Sequence, residues 1–179
     1  MKVEFRFFQY HIQLKIEKKR LINGGNDMNE ELNIYQIANW FLSKEPMSHK
    51  KLQKMCYYAY CWNWVLNDNR LFNEQFQAWV HGPVCPQLYS KYRGNGWKDI
   101  PKYEGDTTLP EEVVNVLEEV MFAYGHLNGN QLESLTHKEQ PWLDARKGLG
   151  PLDASTMKLD DATIISYYSN KYETEMQGD

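Results

Sequence analysis

The chain has 179 residues and a mass of 21.2 kDa, with 42% hydrophobic and 25% charged residues. That balance gives one ordinary domain, with or without a tail, and excludes both a large multidomain machine and bulk disorder. A mean hydropathy of -0.69, with no apolar run near the roughly 20 residues a bilayer-crossing helix needs, argues against a transmembrane protein. The net charge of -4 hides a gradient: residues 1–27 carry +3, residues 44–102 carry +5 and residues 103–179 carry -10. Such a two-sided chain steers partners of opposite charge.

The elements begin with residues 3–16, which alternate like a strand. Val3, Phe5 and Phe7 share one parity, and Phe8, Tyr10, Ile12, Leu14 and Ile16 share the other, with a bulge expected at the change. Gly24-Gly25 then marks a turn or linker, so residues 1–27 read as an extension able to pair with a sheet edge or a partner, and residues 28–179 as the domain proper. The charges scattered through the first twenty residues leave no signal-peptide core.

From Asn33 the pattern is helical. Asn33 and Gln36 have capping-box spacing, Ile34, Ile37, Ala38 and Phe41 share a face, and Pro46 should end the helix. Ser48 offers an N-cap to the longest helix, whose stripe is Leu52, Met55, Cys56, Ala59, Trp62 and Leu66, closing at Asn67-Asp68-Asn69. Tyr57, Tyr60 and Trp64 run down the opposite side of the same helix. Two apolar faces imply either a central helix buried all round or an aromatic surface for a partner.

A strand is expected near residues 76–80, with Gly82-Pro83 turning the chain, followed by a helix opening at Pro86 and ending at Gly94–Gly96. Pro110, Glu111 and Glu112 start another helix with Val113, Val116, Leu117 and Val120 buried and Gly125 at its end. Asn130 and Glu133 suggest a capping box for a short helix, Pro141 opens the next, and Asp160 or Asp161 caps a final helix carrying Ile164, Ile165, Tyr168 and Tyr172. The fold class is mainly α: a compact helical domain with a small β element, and the N-terminal extension as a strand.

Motifs for chemistry are sparse. There is no GxxxxGK[ST] phosphate loop. Cys56, Cys61, His81 and Cys85 do not have the tight spacing of zinc ligands, and no cofactor or metal is expected. With three cysteines beside apolar neighbours, no complete disulfide framework forms, which points to free thiols in a reducing cytoplasm. His81 with Cys85 lacks a third orienting group for nucleophilic catalysis, and His137 beside Trp142 suits packing or a helix end better than acid–base work. Basic residues interleaved with aromatics from Lys50 to Trp97 suit phosphate contact and stacking, but the acidic C-terminal part and a pI of about 5.8 argue against a general nucleic-acid binder.

Three blocks together carry a resemblance: KLQKMCYYAYCW at 51–62, FQAWVHGPVCPQLYSKY at 76–92 and LESLTHKEQPWLDAR at 132–146. Their order is similar to that of the Panacea domain, the SocA-like antitoxin family, and the likeness runs from about Met28 to Tyr172. Matching positions are Leu52, Gln53, Lys54, Tyr57, Tyr58, Ala78, Trp79, His81, Gly82, Pro83, Val84, Tyr89, Leu135, Thr136, His137, Pro141 and Trp142. Met55-Cys56 stands where the family more often has two leucines.

The resemblance implies an antitoxin, not an enzyme, that neutralises by direct binding a protein toxin encoded beside it. Two alternatives are an adaptor delivering its partner to a cellular protease and an autoregulator binding operator DNA. The candidate partner-binding residues are Phe5, Phe7 and Tyr10 in the extension and Tyr57, Tyr60 and Trp64 on the long helix.

Overall fold

The computed structural model describes residues 32–177, and within them the chain is mainly helical with two small antiparallel sheets. In chain order the elements are α1 (Ile34–Lys44), β1 (Met47–Ser48), α2 (His49–Asn67), β2 (Gln77–Trp79), β3 (Gly82–Val84), α3 (Pro86–Tyr92), β4 (Asp99–Ile100), α4 (Glu111–Tyr124), α5 (Gly129–Thr136), α6 (Gln140–Ala145) and α7 (Asp161–Gln177). A single 3₁₀ turn, Arg93–Asn95, follows α3. The strand expected at 3–16, the boundary at 27/28 and the residues Phe5, Phe7 and Tyr10 lie outside the described residues. No described helix is long and apolar enough to cross a membrane.

Local chemistry sets most helix ends. The Asn33 side chain accepts from the Tyr35 and Gln36 amides while Gln36 reaches back to the Asn33 amide, the reciprocal box expected there. Ser48 caps α2 through the Lys51 amide at 3.2 Å, and Asp68, at φ 54°, ends it in the left-handed region. Asp160 accepts from the Thr163 amide at the start of α7. The capping box of α5 lies two residues before the expected Asn130 and Glu133. Asn128, with extended backbone, accepts from the Asn130 and Gln131 amides, which frees Glu133 to face α2.

Helix α2 is the axis of the molecule. It packs against α1, α3, α4, α5, α7 and β3, and its residues from Leu52 through Asn63 are all buried. Of the two readings of the aromatic face, the buried helix holds at two of the three candidate partner-binding positions: Tyr57 is 0% and Tyr60 2% exposed. Tyr57 lies 5.3 Å from the Phe76 ring and 6.4 Å from the Tyr168 ring, and Tyr60 lies 5.2 Å from the Phe72 ring. Trp64 is half-buried and packs on the same core. A helix surrounded on every side has no free stripe, so both apolar faces are used for folding.

The β-hairpin also differs in detail from expectation. The turn falls at Val80-His81, whereas Gly82, Pro83 and Val84 form the return strand, pairing Trp79↔Gly82, Ala78↔Pro83 and Gln77↔Val84. The far edge of β2 is closed by residues 157–159, through Ala78 N–H to the Met157 carbonyl and Leu159 N–H to the Phe76 carbonyl. No unpaired donor row is left on that edge. The second sheet, β1 with β4, has no clear sequence signal: two residues on each side pair as Met47↔Ile100 and Ser48↔Asp99.

Candidate functional site

The three sequence blocks meet around this hairpin. On α2, Leu52 enters the core, while Gln53 grips the backbone of Cys85 from both ends: its Nε2 donates to the Cys85 carbonyl at 3.2 Å and its Oε1 accepts from the Cys85 amide at 2.9 Å. One residue on, Lys54 Nζ donates to the Pro83 carbonyl at 3.0 Å. The Leu-Gln-Lys triplet is thus a staple from helix to hairpin. Buried backbone groups that leave water need such partners, and these two side chains supply them.

Gly82 is required where it stands. Its φ is +91°, and a Cβ there would sit 2.7 Å from Thr136 Oγ1 and 2.8 Å from Lys54 Cε. Conformation and space independently exclude a side chain. Thr136, whose hydroxyl donates to the Glu133 carbonyl, closes the floor from α5.

The opposite side of the hairpin is held by α6. Trp142 Nε1 donates to the Trp79 carbonyl at 2.9 Å, and Arg146 donates to the Ala78 carbonyl at 3.0 Å as well as to the Gly150 and Asp153 carbonyls. His137 stacks on the Trp142 ring, centroids 4.1 Å apart, as its neighbour in sequence suggested. Tyr89 lies edge-on between the rings of Trp79 and His49. Arg146 is 6% exposed and was not singled out from sequence; three carbonyls around one guanidinium carry no linear signature.

Charge gathers beneath and beside the turn. Glu133 accepts from Lys50 Nζ at 2.6 Å and from His81 Nδ1 at 2.9 Å. Burial pushes its carboxyl up, but the bonds from Lys50 and His81 outweigh this and hold it below the usual range. Lys54 is fully buried, and burial, only partly opposed by Glu133, brings its ammonium down to about 7. His49 and His137 are both lowered, first by burial; Lys54 adds to this for both, while Glu133 opposes it for His137. These two imidazoles are therefore biased towards the neutral form.

A second polar knot ties α6 to α2 and α7. Glu139, 4% exposed, accepts from Tyr168 at 2.8 Å and from Tyr58 at 3.3 Å, with Lys171 at 3.9 Å. Burial raises its pKa against the pull of Lys171 and the two hydroxyls. Tyr58 stacks on Tyr124 at 4.0 Å, and Tyr124 in turn accepts from Trp62 Nε1 at 3.2 Å.

The placements separate the expected site residues. Gln53, Lys54, Ala78, Trp79, Gly82, Pro83, Thr136, His137 and Trp142 come together at the hairpin, Tyr58 belongs to the Glu139 knot and Tyr57 to the aromatic core. Cys56, Cys61 and Cys85 are buried free thiols, and burial pushes each of them up. Among the described residues no group of three or more His, Cys, Asp or Glu side chains is placed to hold a metal ion. What the hairpin cluster does chemically is fix backbone; at the turn beside it, the His81 side chain is 71% exposed.

Comparison with known proteins agrees with the motif blocks. The antitoxin SocA-like, Panacea domain family model matches residues 52–143, just over half of the chain. A curated relative, Antitoxin SocA of Caulobacter vibrioides (strain NA1000 / CB15N), is 28% identical over 150 residues, covering 72% of this chain and 78% of that protein. No solved structure matches the chain significantly. With the hairpin, its helical clasp and the family match on the same residues, the chain belongs to the SocA-like antitoxin family of Panacea-domain proteins.

Proposed function

We propose that this protein is an antitoxin that neutralises, by direct binding, a protein toxin encoded beside it. The observation that carries the reading is the family match over residues 52–143, whose motif side chains here hold backbone in place and form no nucleophile–base–orienter set. A scaffold built this way displays surface to a partner. Affinity, not turnover, is then what neutralisation requires.

In this reading residues 28–179 are the domain and residues 1–27 an added binding segment in which Phe5, Phe7 and Tyr10 contact the toxin. Deleting residues 1–27 should leave a folded domain with weaker affinity; unchanged affinity would remove the segment from the interface. His81 and His137 are not catalytic in this account, so replacing both with alanine in a protein that stays folded should leave toxin binding and neutralisation together. Loss of neutralisation with binding retained would favour chemistry.

The decisive test is genetic. Expression of the adjacent reading frame alone should arrest growth, and co-expression with this chain should reverse the arrest and yield a co-purifying complex. A neighbour without toxicity, or one never retained by this chain, would sink the reading.

A further inference from the structure

Trp97 is 94% exposed, on a molecule that buries the rings of Tyr57, Tyr58, Tyr60 and Trp62 almost completely. Single exposed apolar side chains are ordinary on protein surfaces, so exposure alone decides nothing. Two further observations attach to this one.

The loop that carries Trp97 is held in shape. The amide of Gly96 donates to the Arg93 carbonyl and that of Lys98 to the Asn95 carbonyl; Gly96 has φ +56°. Two residues beyond, β4 pairs with β1, Ile100 is buried in the core, and the Tyr103 amide donates to the Leu42 carbonyl. The loop backbone therefore has little conformational entropy left to lose on docking, a condition under which an aromatic anchor contributes more to affinity.

The loop is also cationic. Residues 91–102 hold four basic side chains and one acidic one. Lys91 lies over the rings of Tyr35 and Tyr92, whereas Arg93, Lys98 and Lys102 are exposed and make no ion pair among the described residues. Beyond residue 102 the chain carries fifteen acids against five bases, so the indole stands in a basic stretch of a chain whose net charge is -4. Such an arrangement orients an approaching body by its charge.

Nucleic acid fits less well. Single-strand binding uses several aromatic platforms along a basic groove, whereas this is one indole on a loop of a chain whose net charge is -4. Trp and Arg are the residues most enriched where protein interfaces concentrate their energy. We infer that the Trp97 loop, with Arg93, Lys98 and Lys102 around the indole, docks an acidic patch on a protein partner. This rests on the antitoxin reading and names a surface for it.

The test uses the full-length chain and the purified product of the adjacent reading frame, with binding measured by titration calorimetry and on- and off-rates by surface capture. Trp97→Ala should weaken binding by about 30-fold or more, the range of an interface hot spot, with an unfolding midpoint near that of the wild type. The double variant Lys98→Glu/Lys102→Glu should lose mainly on-rate and flatten its salt dependence. If the wild type binds and both variants bind equally well, the docking inference is wrong while the antitoxin reading stands. If the wild type does not bind, the antitoxin reading fails and takes this surface with it. Salt-dependent binding of a single-stranded thymidine oligomer that disappears in Trp97→Ala would overturn the inference in favour of nucleic acid.

Discussion

The hairpin clasp and the Trp97 loop use aromatic and basic residues in opposite ways. In the clasp, Lys54, Arg146, Trp79 and Trp142 are turned inward and spend their polar atoms on backbone carbonyls, or offer their own carbonyl to be held. In the loop, Arg93, Trp97, Lys98 and Lys102 are turned outward. The family motif lies in the first region and the proposed contact in the second. Recognisable residues thus sit where the fold is specified, and less recognisable ones where a partner is proposed to be met.

Substitutions that break the clasp should therefore cost stability first, and the largest cost is expected at Gly82. Gly82→Ala forces φ +91° on a residue with a Cβ and pushes that atom against Thr136 and Lys54. Left-handed strain and overpacking each cost on the order of 1–3 kcal/mol, so about 3 kcal/mol in denaturant unfolding is expected. A loss below about 1 kcal/mol would mean that the hairpin shifts easily and is not the rigid element described.

Next comes the Glu139 knot. Glu139→Ala leaves the Tyr58 and Tyr168 hydroxyls without their acceptor in a buried place, at a cost of roughly 2–3 kcal/mol. Glu139→Gln keeps an acceptor oxygen and should lose about 1 kcal/mol or less at pH 7, because burial raises the pKa of this carboxyl and disfavours its charge. Equal losses for the two variants would show that the hydroxyl bonds are not what the carboxyl supplies.

Lys54 sharpens the comparison through pH. Its folded value of about 7 lies below the ordinary 10.5, so between these values the unfolded chain holds a proton that the folded chain has released. Stability from this group is lowest below pH 7 and rises as the pH climbs from 7 towards 10.5, with a one-proton limit of about 1.4 kcal/mol per pH unit. Lys54→Met should flatten this rise relative to the wild type in chemical denaturation between pH 7 and 9. An identical slope in both proteins would place the titrating group elsewhere. The smallest stability effect belongs to the exposed loop: Trp97→Ala should change unfolding free energy by about 0.5 kcal/mol or less, as surface positions do.

What sequence could reveal follows the same division. Capping signals at Asn33, Ser48 and Asp160 were legible because they are local, a side-chain oxygen within three residues of the amide it serves. The mainly helical class and the stripe of α4 were legible from period alone. The second apolar face of α2 was legible only as a choice between core and partner surface, since periodicity says that Tyr57 and Tyr60 share a face and only tertiary structure says that Phe72, Phe76 and Tyr168 arrive to cover them. Arg146 and Glu139 were missed for a related reason: their partners lie between 4 and 81 residues away in sequence, and a buried charge looks like a surface charge until its partners are known. Tryptophan at 97 reads the same in sequence whether buried or bare.

We propose that this chain acts by occupying its partner, with no bond made or broken. Titrating a fixed amount of the adjacent gene's product with increasing amounts of this protein, and reading residual toxic activity, tests it most directly. The account predicts inhibition that grows in proportion to the protein added and is complete only at a fixed stoichiometric ratio. Complete inactivation by a small fraction of an equivalent, increasing with time of incubation, would contradict it.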